Sequence, residues 1–144
     1  MTDWNQKFAD ASAEVDKYLR EAGIEPPVEK DGDTSGTYQR SIRKMLFSED
    51  YSEAAKKMLR EAQQCANPTG NPACTKTEDL TLDHTPAVSS YFNSVGWGKS
   101  RDERDRWYTD TTHLQVLCRS CNSMKGGEPF DIDKVARCLR EGRG

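Results

Sequence analysis

Five cysteines and two histidines stand out in this sequence as groups able to bind a metal or carry a proton. Cys118-Arg-Ser-Cys121 leaves two residues between thiolates, the spacing of a zinc-knuckle half, which lets both sulfurs reach one ion at about 2.3 Å. Cys65 and Cys74 offer a second pair, wider than is usual, and two prolines and a glycine between them allow the loop to fold back. Four thiolates leave no open coordination position, so a Zn²⁺ held by Cys65, Cys74, Cys118 and Cys121 is expected to hold structure and perform no chemistry. The competing reading is a set of ordinary buried thiols, against which the paired spacing counts. An odd cysteine number excludes complete internal disulfide pairing. With no signal peptide visible, thiolate–metal binding in a reducing compartment is the expectation. Cys138 stands apart among apolar neighbours and reads as a small core residue.

The two histidines flank this cluster. His84 follows Asp83 at the end of one expected strand, and His113 opens another, five residues before the knuckle. A lone histidine is more often a structural hydrogen bonder than a catalyst. Two of them beside one metal scaffold, accompanied by a carboxylate (Asp83) and an amide (Asn122), favour a site.

The elements that must position these groups follow from periodicity and punctuation. Residues 3–22 read as an amphipathic helix closed by Gly23, residues 24–36 as a linker, and about 37–47 as a second helix. A third helix runs from Ser52 to about residue 64. Leu80-Thr-Leu-Asp-His84 is expected as a short strand with Leu80 and Leu82 facing inward, and His113-Leu-Gln-Val-Leu117 as its counterpart. Between them, Ser100-Arg-Asp-Glu103 fits a capping box opening a helix that contains Trp107. The Arg101 to Arg106 run alternates with acids and reads as an exposed face. Trp97 and Trp107 read as packing rather than stacking platforms for bases. A short helix carrying Asn122 and Lys125 is stopped by Gly126-Gly127, and Asp131 caps a last helix with Ile132, Val135, Ala136 and Leu139 on its buried face. The fold class is therefore α+β: a helical segment over residues 1–60, then residues 61–144 built around two strands and the cysteine cluster.

Composition narrows the function classes. The chain has 144 residues, 34% hydrophobic and 31% charged, so the core it can bury is limited and a metal is a natural source of rigidity. No apolar run is long enough to span a bilayer, and Met1-Thr2-Asp3-Trp4-Asn5-Gln6 has neither a basic nor an apolar signal region. A net charge of -3 counts against a protein that coats nucleic acid through overall positive charge. Any phosphate contact must be local, helped by a divalent cation.

Asp83-His84-Thr-Pro86, followed by His113-Leu-Gln-Val-Leu-Cys118-Arg-Ser-Cys-Asn122-Ser-Met-Lys125-Gly126, resembles the HNH (ββα-metal) endonuclease motif with a cysteine-bound zinc. The stretch from Pro86 to Gly96 with residues 104–110 is further similar to HNH/endonuclease VII-type toxin domains of bacterial polymorphic toxins. The resemblance covers about residues 65–128. It implies a zinc-stapled ββα-metal core in which Asp83 and Asn122 bind a catalytic divalent ion and His84 is the general base. His113 stands where the family usually has asparagine, a departure that leaves it either to orient the base or to act as a third ligand.

The residue types suit that chemistry independently. Phosphodiester hydrolysis needs a nucleophilic water, neutralisation of charge on the phosphoryl and leaving oxygens, and orientation of both. Histidine, with a free pKa of about 6.5, can accept a proton near neutrality. Carboxylate and amide oxygens are hard donors suited to Mg²⁺ or Mn²⁺. Adjacent strand residues point to opposite faces, so the strand is expected to end or bend at Asp83-His84. Arg119 and Lys125 are candidates for phosphate contact, with an exposed solvated charge as the equal alternative.

The expected activity is thus metal-dependent phosphodiester cleavage. The resemblance alone favours DNA over RNA, implies an antibacterial effector acting in the cytoplasm without a cleavable signal peptide, and implies a cognate immunity protein as partner. A phage or restriction-type HNH endonuclease is the second enzyme reading. A non-catalytic zinc-ribbon module binding nucleic acid or protein is the alternative of another class.

Overall fold

The computed structural model describes residues 4–26, 36–48, 50–66, 74, 76–125 and 128–144, with the side chains of 4–8, 36–37 and 123–125 left aside. Among them the protein is α+β, with seven α-helices and one two-stranded sheet. In chain order these are α1 (Trp4–Glu21), α2 (Gly36–Leu46), α3 (Glu53–Glu61), β1 (Leu80–His84), α4 (Val88–Ser94), α5 (Arg101–Thr109), β2 (Leu114–Cys118), α6 (Arg119–Lys125) and α7 (Ile132–Arg140).

Each helix is set by the pattern of its apolar positions. In α2, Tyr38, Ile42, Met45 and Leu46 are buried, a stripe at i, i+4, i+7 and i+8 that leaves Gln39, Arg40 and Arg43 on the flank. In α7, Ile132, Val135, Ala136 and Cys138 are buried, and Asp131 accepts the Lys134 N–H at its start, as the sequence suggests. Cys138 takes the core place expected of it. Helix α1 ends at Gly23, whose φ of 79° lies in the left-handed region open to glycine; there the Ile24 N–H reaches back to the Leu19 carbonyl at 2.9 Å. Ser100 and Glu103 form the expected reciprocal capping box of α5.

Val15 and Leu19 of α1, the α2 stripe, Phe47, Val88 and Phe92 of α4, Tyr108 of α5, Phe130 and the inner face of α7 form one core. Residues from both sides of position 60 therefore share it. Glu14 of α1 receives two hydrogen bonds from Arg140 of α7, at 2.9 and 2.7 Å, and this guanidinium holds the Glu14 carboxyl below its usual range. A second, smaller core contains Cys65, Leu117 and Cys118 with Cys74, Leu80 and Cys121 packed against it.

Three local expectations give way to packing. Leu80 and Leu82 are only half-buried, whereas Asp83 and His84 at the end of the same strand are buried, because that end inserts beneath an aromatic cluster. His113 belongs to a 3₁₀ turn (Thr111–His113), and β2 starts one residue later. The Arg101–Arg106 run is not uniformly exposed: Arg104 has 0% exposure. Its guanidinium donates to the carbonyls of Leu46 (3.1 Å), Lys99 (2.9 Å) and Arg143 (2.7 Å) and to Cys138 Sγ at 3.5 Å. Desolvation pushes its pKa down, and the ring of carbonyls offsets part of that cost. Arg104→Met is therefore expected to destabilise the protein by on the order of 3 kcal/mol, because the buried Leu46 carbonyl and the part-buried carbonyls of Lys99 and Arg143 lose a charged donor. Denaturant unfolding of the purified variant measures this; an unchanged midpoint at unchanged slope would show that these bonds contribute nothing.

Helix α4 has weak local preference, being rich in serine and β-branched or aromatic residues (Val-Ser-Ser-Tyr-Phe-Asn-Ser). Burial of Val88 and Phe92, one turn apart, supplies what propensity does not.

Candidate active site and metal centre

Strands β1 and β2 pair antiparallel with Asp83 opposite Gln115 and His84 opposite Leu114. The pairing extends one step beyond the sheet, where the Thr85 N–H bonds the His113 carbonyl at 2.8 Å. The strand thus runs through both Asp83 and His84 and ends immediately after them, at the cis Thr85–Pro86 peptide bond. Their side chains meet different partners, as alternation in a strand requires, yet both line one cleft.

On the Asp83 side, Gln115 Nε2 donates to Oδ2 of the carboxylate at 2.8 Å, fixing one oxygen. Asn122, projecting from α6, donates through Nδ2 to Thr81 Oγ1 (3.0 Å) and the Leu82 carbonyl (3.4 Å). Thr81 in turn donates its hydroxyl proton to the Leu117 carbonyl at 2.9 Å. The Asn122 amide nitrogen is thereby committed to the strand, and Oδ1 is the atom of this side chain suited to a cation.

His84 is 4% exposed and lies among rings. Its imidazole is 4.2 Å from the Tyr108 ring, 5.4 Å from Trp107 and 6.1 Å from Tyr51, centroid to centroid. The Nε2–H donates to the Tyr108 carbonyl at 2.9 Å. A carbonyl can only accept, so the neutral ring carries its proton on Nε2 and its basic lone pair on Nδ1. Burial holds the Tyr51 phenol above its ordinary range, with the neighbouring Tyr108 adding to the effect.

The cleft has a volume of about 470 Å³. It is lined by Leu82, Asp83 and His84 of β1, Asn122 of α6, the start of α4 and residues 128–130. Gln39, Arg40 and Arg43 of α2 complete the lining. Segment 128–131 is held by α4: Ser89 donates to the Glu128 carbonyl, and Asn93 bonds the Pro129 carbonyl (2.9 Å) and the Asp131 N–H (2.8 Å).

Asp83, His84 and Asn122 are therefore brought together, and His113 is not among the residues lining this cleft. His113 stacks on Trp107 at 5.4 Å, the ring that also stacks with His84, and its Nε2 lies 3.9 Å from Asp110. Arg119 is exposed at the start of α6, outside the cleft lining. The Lys125 side chain and Gly126-Gly127 lie outside the described residues. Gln39, Arg40 and Arg43 were not legible as site residues from motif spacing. One signal was present: α2 carries Arg40, Arg43 and Lys44 with no acid in a chain of net charge -3.

Cys65, Cys74, Cys118 and Cys121 have all four sulfurs within 4.8 Å of one another. They could hold a metal ion, and they are the one such group of cysteine, histidine and acidic residues among those described. An ion about 2.3 Å from four tetrahedral sulfurs needs S···S edges of about 3.8 Å; Cys74 and Cys118 are 3.8 Å apart. The Cys121 N–H points at Cys118 Sγ, 3.5 Å away, and this is the first cause of a Cys118 pKa lowered to about 7. Backbone hydrogen bonds join the cluster to β2 and to the segment before β1: Ala66 N–H to the Val116 carbonyl (2.9 Å), Cys65 N–H to the Lys76 carbonyl (2.8 Å) and Arg119 N–H to the Asp79 carbonyl (2.8 Å). The 67–73 stretch of the loop, with its prolines and glycine, lies outside the described residues.

Comparison of the chain with protein-family profiles, with curated proteins and with solved structures finds no match.

Proposed function

We propose that this protein is a metal-dependent endonuclease of the HNH type, with a structural zinc in the four-cysteine cluster and a catalytic Mg²⁺ or Mn²⁺ between Asp83 and Asn122. The observation that carries this reading is the cleft itself. A buried carboxylate, an imidazole with its Nε2 anchored and an amide with its nitrogen anchored line one 470 Å³ space together with two arginines.

Asp83 and Asn122 supply oxygen donors of the kind hard divalent cations prefer. A bound cation would neutralise charge developing on the phosphoryl and leaving oxygens. His84 takes a proton from the attacking water at Nδ1, while its Nε2–H bond to Tyr108 fixes ring orientation and tautomer. Gln115 and Thr81 hold the carboxylate and the amide in place. The cysteine cluster ties β2 and α6 together, which sets Asn122 relative to β1. DNA is the substrate proposed, in the setting of an antibacterial effector countered by an immunity protein; both rest on the motif resemblance.

The test is a plasmid-nicking assay with Mg²⁺ or Mn²⁺, run beside an RNA substrate, on protein whose zinc content has been measured. Divalent-dependent cleavage supports the reading. Its absence with zinc and fold intact would favour a non-catalytic zinc module binding nucleic acid or protein. In the same assay His113→Ala is expected to keep cleavage within about three-fold of wild type, because the backbone carbonyl bonded by Thr85 is retained and the ring adjoins Trp107 rather than lining the cleft. A loss of a hundred-fold would instead place the imidazole in the reaction.

A further inference from the structure

The N-terminal helical region carries none of the HNH-like motif, yet one of its helices lines the cleft. Helix α2 brings Gln39, Arg40 and Arg43 into the same cleft as Asp83, His84 and Asn122. We propose that Arg40 and Arg43 form a phosphate clamp that binds the nucleic-acid backbone within the cleft that holds the catalytic residues. The clamp deepens the nuclease reading above and names α2 as the local source of positive charge in an acidic chain.

Three observations support it. First, α2 holds three basic residues and no acid over Gly36–Leu46, so its flank is cationic without internal neutralisation. Second, Arg43 is held in place: Nη2 donates to Tyr108 Oη at 2.8 Å, and the guanidinium lies 5.3 Å from that ring's centroid. This bond uses one of five guanidinium donors, and a planar fork with the remaining donors suits paired phosphate oxygens. Tyr108 also gives its carbonyl to His84, so one residue sets both the base and the clamp. Third, α2 is fixed one turn earlier as well, where Gln39 Oε1 accepts the Phe130 N–H at 2.7 Å. Two successive turns of the helix are thus fastened, and Arg43 is preorganised.

A phosphate contact has a signature that a purely structural role lacks. Each neutralised phosphate releases condensed counterions, so log affinity falls with log salt by about 0.9 per contact on duplex DNA. The experiment measures binding of a fluorescent DNA duplex in Mg²⁺ across a salt series, in a His84→Gln background that turns the probe over too slowly to matter during the measurement. Arg40→Ala and Arg43→Ala are each expected to weaken binding uniformly across probe sequences and to reduce the salt slope by about one. Arg43→Lys should restore much of the slope. Tyr108→Phe removes the same hydrogen bond as Arg43→Ala without removing charge, and should leave the slope intact.

Unchanged slopes in Arg40→Ala and Arg43→Ala would overturn the clamp, whether or not the wild type cleaves. A Tyr108→Phe slope matching that of Arg43→Ala would reduce Arg43 to a packing role and overturn its share. Reduced slopes in a wild type that binds but never cleaves would support the clamp and remove the nuclease. A wild type that neither binds nor cleaves would remove both.

Discussion

Replacing His84 with alanine or glutamine is expected to lower metal-dependent cleavage by about 10²–10⁴-fold, the range general-base removal produces. The loss should fall on kcat rather than KM, because in the proposed mechanism the imidazole takes a proton and the phosphate is held elsewhere. Alanine has a second effect that must be separated from the first. His84 is buried beneath Tyr51, Trp107 and Tyr108, and its truncation leaves a void and an unpaired Tyr108 carbonyl, at a cost of about 1–3 kcal/mol for the carbonyl. Glutamine retains an N–H donor for that carbonyl and fills more of the space, but it cannot accept a proton at any working pH. A glutamine variant that folds, keeps zinc and cleaves as fast as wild type would take His84 out of the mechanism.

Removing the zinc proposed for the cysteine cluster should have the largest effect on structure. The small core there consists of Cys65, Leu117 and Cys118 with Cys74, Leu80 and Cys121 against it. Leucine burial alone is too little to close such a cluster, whereas a structural zinc contributes on the order of 10 kcal/mol. Cys118→Ser, or extraction by a chelator, is therefore expected to release one zinc per chain and to open the region around β2 and α6, taking Asn122 from the cleft and abolishing cleavage. The motif alone suggests collapse throughout residues 65–128. The packing confines the damage, because Val88, Phe92 and Tyr108 belong to the main core with α1, α2 and α7. Amide exchange reads the difference: protection at Ala66, Cys65 and Arg119 should vanish, while that at Ile24 and Phe47 persists. A zinc-free variant with all five amides protected and full activity would end the proposal of a structural ion.

The two effects are connected through one short path. A metal held by Cys118 and Cys121 would fasten the start of α6; α6 carries Asn122; and Asn122 is fixed on Thr81 and Leu82, next to Asp83 in β1. On the proposed reading, a metal site that performs no chemistry would in this way control one that does.

Much of this was legible residue by residue. Knuckle spacing, the two strands, the Ser100 capping box and the Gly23 helix stop are local signals, since each depends on groups a few positions apart whose geometry the backbone itself dictates. The convergence of Cys65 and Cys74 with the knuckle was legible too, because thiolates in paired spacing have few other uses. Asp83, His84 and Asn122 could be named from type and position. What stayed hidden depended on partners distant in sequence. Nothing local to Arg104 distinguishes it from Arg101 or Arg106, and its burial follows from carbonyls at 46, 99 and 143 that only a folded chain assembles. His113 had the right chemistry and the right neighbours, yet a single 3₁₀ turn put it against Trp107 and outside the cleft. Nothing local marks Arg40 and Arg43; they reach the cleft because α2 docks through Tyr38, Ile42 and Leu46. Spacing along the chain sets which side chains can share an element; the burial of distant apolar faces sets which elements face each other, and so where the cleft opens.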